Sequence, residues 1–131
     1  METHLNIIGY LLIVLAFVHI VFPKYFNWKE ELKPLSLINR QMMQVHTFFI
    51  AVVVLMIGLL CASSANELTS TTLGKKIALG LGIFWLLRLF AQFFGYTSQV
   101  WKGKPFETTM HVVFTLFWMY LSGVFFGVYY L

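Results

Sequence analysis

The sequence predicts an all-α integral membrane protein, an up-down-up-down bundle of four transmembrane helices. Three observations lead there. Four apolar segments are long enough to cross a bilayer, apolar residues make up 60% of the 131 residues, and charged residues make up only 11%. The mean hydropathy of +0.80 agrees. Soluble domains carry roughly 25% charged residues. A chain this short, read as residues 1–131, has room for one domain.

A helix needs about 20 mostly apolar residues to span the hydrocarbon. The first segment, residues 5–22, stops at Pro23, which cannot continue a helix. Residues 37–62 form the second. Its first turn is polar, with Asn39, Arg40, Gln41 and Gln44, and is expected to start in the interface. The third, residues 75–98, has Lys75 and Lys76 at its mouth. Residues 106–131 form the fourth and follow Pro105, a residue suited to a helix start. Glu2 with no Lys or Arg before Asn6 is unlike the basic start of a secretory signal, so the first segment is expected to be retained.

The connections set the orientation. Basic residues favour the cytoplasmic side. The first and third loops share one side and carry Lys24, Lys29, Lys33, Arg40, Lys102 and Lys104, against Lys75 and Lys76 opposite. Both termini are therefore expected outside the cytoplasm, and the compactness suggests a bacterial inner membrane. Trp28 and Leu32 with Lys29 and Lys33 predict a short amphipathic piece on the surface. Residues 63–74 read as a Ser/Thr-rich loop. Tyr25, Phe26, Trp28, Trp101, Tyr129 and Tyr130 fit interfacial aromatic belts.

Polar side chains in hydrocarbon are costly and tend to be functional. In the predicted topology His19, His46 and His111 each lie roughly 5–8 Å below the cytoplasmic interface, at about 1.5 Å per residue. In the third segment Trp85, Arg88, Gln92, Tyr96 and Gln99 recur at spacings of three or four, which places them on one helix face. Imidazole is a common metal ligand and axial ligand of haem. Three histidines at one depth could hold a transition metal, with Gln92 or Tyr96 orienting a ligand. His46 and His111 could instead clamp a b-type haem, with Arg88 pairing a propionate. A quinone headgroup would also suit histidine, glutamine and tyrosine. Electron transfer is one use of such a site. There is no HExxH, ExxH or CxxCH spacing to choose among these.

Each residue also has a plainer reading. A membrane histidine serves as an interhelical hydrogen-bond partner, and Arg40 can snorkel to headgroups. Arg88 is harder to set aside, because no acid lies at its expected depth. A backbone carbonyl, Gln92, an anion or a partner subunit must then meet its charge. An accessory subunit of a larger membrane complex, or a homo-oligomer, is thus a second expectation. An intramembrane enzyme acting on a lipid, with a histidine as general base, is a third. The lipid bilayer is the one partner implied throughout. No basic run points to nucleic acid. Cys61 is the only cysteine, which excludes an intrachain disulfide. Gly80 with Gly82, and the GxxxG of Gly123 and Gly127, are expected to let helices pack closely inside the protein, with dimerisation as the second use.

The stretches NRQMMQVHTFFI and FWLLRLFAQFFGY resemble those of small four-helix bacterial membrane proteins. The size is similar to that of DoxX-like proteins, b-type cytochromes and membrane-bound protoporphyrinogen oxidases. None of their diagnostic motifs is present, so no functional residue is carried over.

Overall fold

The computed structural model describes residues 2–94, 103 and 105–130. Among these the chain is helical and contains no strand. In order the helices are α1 (Glu2–Val18), α2 (Phe22–Tyr25), α3 (Trp28–Glu31), α4 (Leu37–Ser63), α5 (Ala65–Ser70), α6 (Thr72–Phe94) and α7 (Pro105–Tyr130). Three of them, α4, α6 and α7, are long and apolar enough to cross a membrane, while α1 is apolar but shorter. Their outer faces are apolar too: Phe48, Met56, Leu87, Phe90, Leu116 and Met119 are all exposed. These helices suggest an integral membrane protein whose surface is compatible with lipid.

Two compact units divide the chain, Leu5–Ala65 and Asn66–Leu131 with Met1–His4. In the first, the buried residues of α1 (Leu5, Ile8, Gly9, Leu12, Leu15 and Ala16) recur every three or four positions and make one face. That face meets α4 at glycine. A Cβ on Gly9 would lie 2.8 Å from the carbonyl oxygen of Gly58 and 2.6 Å from the Ala62 nitrogen. One on Gly58 would lie 2.9 Å from the Gly9 oxygen. Only hydrogen at both positions permits this backbone contact.

Helix α1 ends earlier than residue 22. Pro23 lacks an N–H, and its ring would clash with the carbonyl four residues back, that of His19. The chain therefore tightens beforehand: Ile20 N bonds Phe17 O at 3.1 Å and Val21 N bonds Val18 O at 3.0 Å, a turn of 3₁₀ geometry. Asn27, at φ 54°, makes the left-handed corner between α2 and α3. Trp28 and Leu32 are buried there and Lys33 pairs with Glu30 at 2.9 Å in the open, the amphipathic pattern expected for this stretch. Ser36 then caps α4 by accepting from Asn39 N.

In the second unit, the Ser/Thr-rich stretch is not an irregular loop. Residues 65–70 form a short helix whose hydroxyls bond back to its own carbonyls, Ser70 to Asn66 O at 2.7 Å and Thr71 to Glu67 O at 2.7 Å. Buried Leu68 gives it an anchor. Gly74 follows so closely that a Cβ there would strike the Glu67 carbonyl and lie 2.7 Å from the Leu68 Cα. Helix α6 thus starts at Thr72, three residues before its expected start.

Helices α6 and α7 pack as an antiparallel pair. Gly82 faces the Phe126 ring, Trp85 stacks on Trp118, and Gln92 meets His111, so partners descend along α7 as numbers rise along α6. The expectation of internal packing holds for Gly82. It fails for Gly80 and Gly123, where a Cβ would find no atom within 4 Å. At the head of this unit His4 Nδ1 and the Tyr120 hydroxyl are hydrogen-bonded at 2.8 Å.

Candidate functional site

The polar stripe of α6 faces α7. Trp85 and Gln92 are buried and Arg88 is half-buried. Arg88 Nη1 donates to Gln92 Oε1 at 3.4 Å, and the Gln92 amide nitrogen lies 3.0 Å from His111 Nδ1 and 3.4 Å from the His111 carbonyl oxygen. These contacts make a chain from Arg88 through Gln92 to His111. Three of the residues singled out in the sequence are thereby brought together.

Arginine can only donate and a carbonyl can only accept. The Gln92 amide is therefore held in one orientation, oxygen to Arg88 and nitrogen to the His111 carbonyl. Turned over, it would set donor against donor at Arg88 and acceptor against acceptor at His111. With its nitrogen toward Nδ1, Gln92 donates to that ring atom. A neutral His111 then carries its proton on Nε2.

Arg88 also rests on an aromatic surface. Its Cζ lies 5.0 Å from the Trp118 ring centroid. Trp118 in turn stacks on Trp85, with centroids 5.1 Å apart and planes 8° apart, and on Phe114 at 5.6 Å. Cation–π attraction is worth about 0.5–1 kcal/mol at exposed sites and about 2 kcal/mol or more when desolvated, so the ring face is a partner for the Arg88 charge. Trp118 was not anticipated as a site residue. The signal was present, since His111, Phe114, Trp118 and Ser122 recur at spacings of three or four, but the expected partners of the cation, a carbonyl, Gln92, an anion or another subunit, did not include an aromatic face.

The two stacked indoles have a further property. Trp85 Nε1 and Trp118 Nε1 are buried donors with no hydrogen-bond partner among the described residues, and the residues are 2% and 4% exposed. On the same helix, Ser122 Oγ donates to the Trp118 carbonyl at 2.9 Å and Thr115 Oγ1 to that of His111 at 2.7 Å.

The other histidines lie in the Leu5–Ala65 unit. His19 is not inside the first helix, as expected, but just past its end. Its Nδ1 lies 2.8 Å from the Leu15 carbonyl oxygen, which also accepts from the His19 backbone N–H at 3.3 Å, so the ring folds back on the last turn. Because that oxygen only accepts, His19 Nδ1 carries a proton. His46 is exposed on α4 and makes no hydrogen bond among the described residues. Tyr96 lies outside the described residues, as do Gln99, Trp101, Lys102 and Lys104. Among the described residues, no group of three His, Cys, Asp or Glu side chains is placed to hold a metal ion.

No family model, curated protein or solved structure matches the chain.

Proposed function

We propose that this protein binds a small ligand within the membrane, through the Arg88–Gln92–His111 chain of the α6/α7 pair. The observation that carries the reading is Gln92 itself. It is a 7% exposed amide in an apolar hairpin, held by a cation on one side and an imidazole on the other. A structural role alone would be met more cheaply by apolar residues, since polar groups buried without full pairing are costly. Metal, b-type haem and quinone are the candidate ligands, and electron transfer is the use that the last two suggest. His19 and His46, in the Leu5–Ala65 unit, are proposed as candidate metal ligands in their own right.

The setting of this site is a single domain of four transmembrane helices, up, down, up and down, with both termini outside the cytoplasm. Support comes from α1. Its 17 residues span about 26 Å at 1.5 Å per residue, and the tight turn that follows adds roughly 6 Å at 2.0 Å per residue. Together these match the ~30 Å of the hydrocarbon core. The antiparallel α6/α7 pair supports the alternation of direction.

The test is an absorption spectrum of the detergent-purified protein, oxidised and then reduced, with elemental analysis and an organic extract of the same sample. A Soret band, stoichiometric metal or extracted quinone that is lost in both His111→Ala and Arg88→Leu supports the reading. An empty protein that co-purifies with another membrane protein, and loses it on Arg88→Leu, would favour the accessory-subunit reading instead.

A further inference from the structure

We infer that the first turns of α4 carry a second site, in which His46, Met42 and Met43 bind a soft monovalent ion, copper(I). The inference rests on the reading of His46 as a metal ligand and is independent of any ligand in the α6/α7 pair. It starts from three uncovered side chains. Met42 and Met43 are 45% and 40% exposed, and His46 is exposed with no hydrogen bond among the described residues. Methionine is suited to filling irregular gaps in a core, and neither of these two is buried in one.

Helix geometry gathers the three. Helix α4 runs from Leu37 to Ser63, and Thr47 Oγ1 donates to the Met43 carbonyl at 2.8 Å across the turn concerned. At 3.6 residues per turn, Met42 and Met43 flank His46 at about 40° and 60° to either side, one turn earlier. Residues three and four apart are neighbours on a helix surface, with Cβ atoms about 5–6 Å apart. Helical side chains lean toward the N-terminus, so the imidazole leans toward the turn that carries both thioethers. Methionine has three rotatable bonds, which let each sulfur reach a shared ion. Of the four histidines, His46 alone has two methionines on the preceding turn.

The donor set selects the ion. Thioethers are soft, neutral donors that suit copper(I), whereas harder divalent ions call for carboxylate or carbonyl oxygen. No Asp or Glu lies between Leu32 and Asn66, so this stretch of chain has no carboxylate to balance a divalent charge. Arg40, three residues before Met43, adds repulsion that a monovalent ion feels less. In the proposed topology this end of α4 lies on the cytoplasmic side, a reducing compartment in which copper stays monovalent. Exposure of all three donors leaves the ion open to a ligand from another molecule, an arrangement suited to uptake and transfer.

The experiment is an anaerobic titration of the full chain in detergent with copper(I) against a chromogenic copper(I) chelator. A Cys61→Ser parent removes the one thiol. Zinc(II) is titrated in parallel, and circular dichroism shows that each variant is folded. The expected result is one copper(I) per chain, held tenfold or more weakly in Met42→Leu/Met43→Leu and in His46→Ala. Binding should be unchanged in Met56→Leu, a residue 63% exposed further along α4. Leucine keeps the apolar volume and deletes the sulfur, so the loss reports ligation. The single changes Met42→Leu and Met43→Leu stand in where the double variant does not fold. Copper(I) binding that survives the methionine changes but falls in His46→Ala overturns the thioether site while keeping His46 as a metal ligand. Zinc(II) bound through His46 with no copper(I) bound does the same. Equal weakening in Met56→Leu means scattered surface binding and also overturns the inference. If neither metal binds the parent, the inference and the reading of His46 as a ligand both fall, and the α6/α7 reading is untouched.

Discussion

His19 and His111 carry their protons on opposite ring nitrogens. The partner of Nδ1 decides the matter, a backbone carbonyl for His19 and a glutamine amide nitrogen for His111. The sequence places both at one depth and makes them look equivalent. Their difference depends on which atom lies beside each ring, and no spacing rule supplies that. Arg88, Gln92 and His111 were legible because polar residues stand out in apolar segments. Trp118 was not, because the partners expected for an arginine in hydrocarbon did not include an aromatic face, which can also take its charge. Replacing Trp118 separates its two roles. Trp118→Leu removes the ring under Arg88 and should lower stability in detergent by about 1–3 kcal/mol through lost stacking and cation–π attraction. Trp118→Phe keeps a ring and deletes the orphan N–H, so its midpoint should fall less. Thermal unfolding followed by circular dichroism checks the order, and equal losses would contradict the stacking account.

At the scale of elements, helix existence was legible and helix ends were less so. Apolar runs of about 20 residues identify α4, α6 and α7 directly. Pro23 marks the end of α1, but its influence extends upstream, because the clash falls on the carbonyl four residues earlier. Helix α5 was missed because Ser and Thr suggest a loop. Here their hydroxyls bond carbonyls of the preceding turn, and Leu68 is buried. Glycine roles differ by position in a way that composition hides. Gly9, Gly58, Gly74 and Gly82 face atoms, while Gly80 and Gly123 face open space. Gly58→Leu should therefore cost about 1–3 kcal/mol or more by forcing α1 and α4 apart. Gly123→Leu should be nearly silent in the isolated protein. Unfolding midpoints in detergent read both. A large loss in Gly123→Leu alone would mean that this face is covered, as in an oligomer.

For the whole molecule, class was legible and use was not. A low charge content and three long apolar helices suggest a membrane protein. The proposed function rests on how a few polar atoms pair, which only the three-dimensional arrangement within α6 and α7 supplies. Topology is testable without knowing the ligand. In a Cys61→Ser background, a single cysteine at Glu30 should resist a membrane-impermeant thiol reagent in intact cells, whereas one at Ser70 should react. Reaction at Glu30 with protection at Ser70 would reverse the proposed orientation, and reaction at both would break the alternation of spans.

The central claim is that Gln92 makes His111 a donor. It can be read without any ligand, by nitrogen NMR of the histidine-labelled protein in micelles, with the His111 resonances identified by their loss in His111→Ala. The account predicts a protonated Nε2 and an accepting Nδ1 in the wild type, and the reverse in Gln92→Glu. A wild-type His111 with its proton on Nδ1 would contradict it.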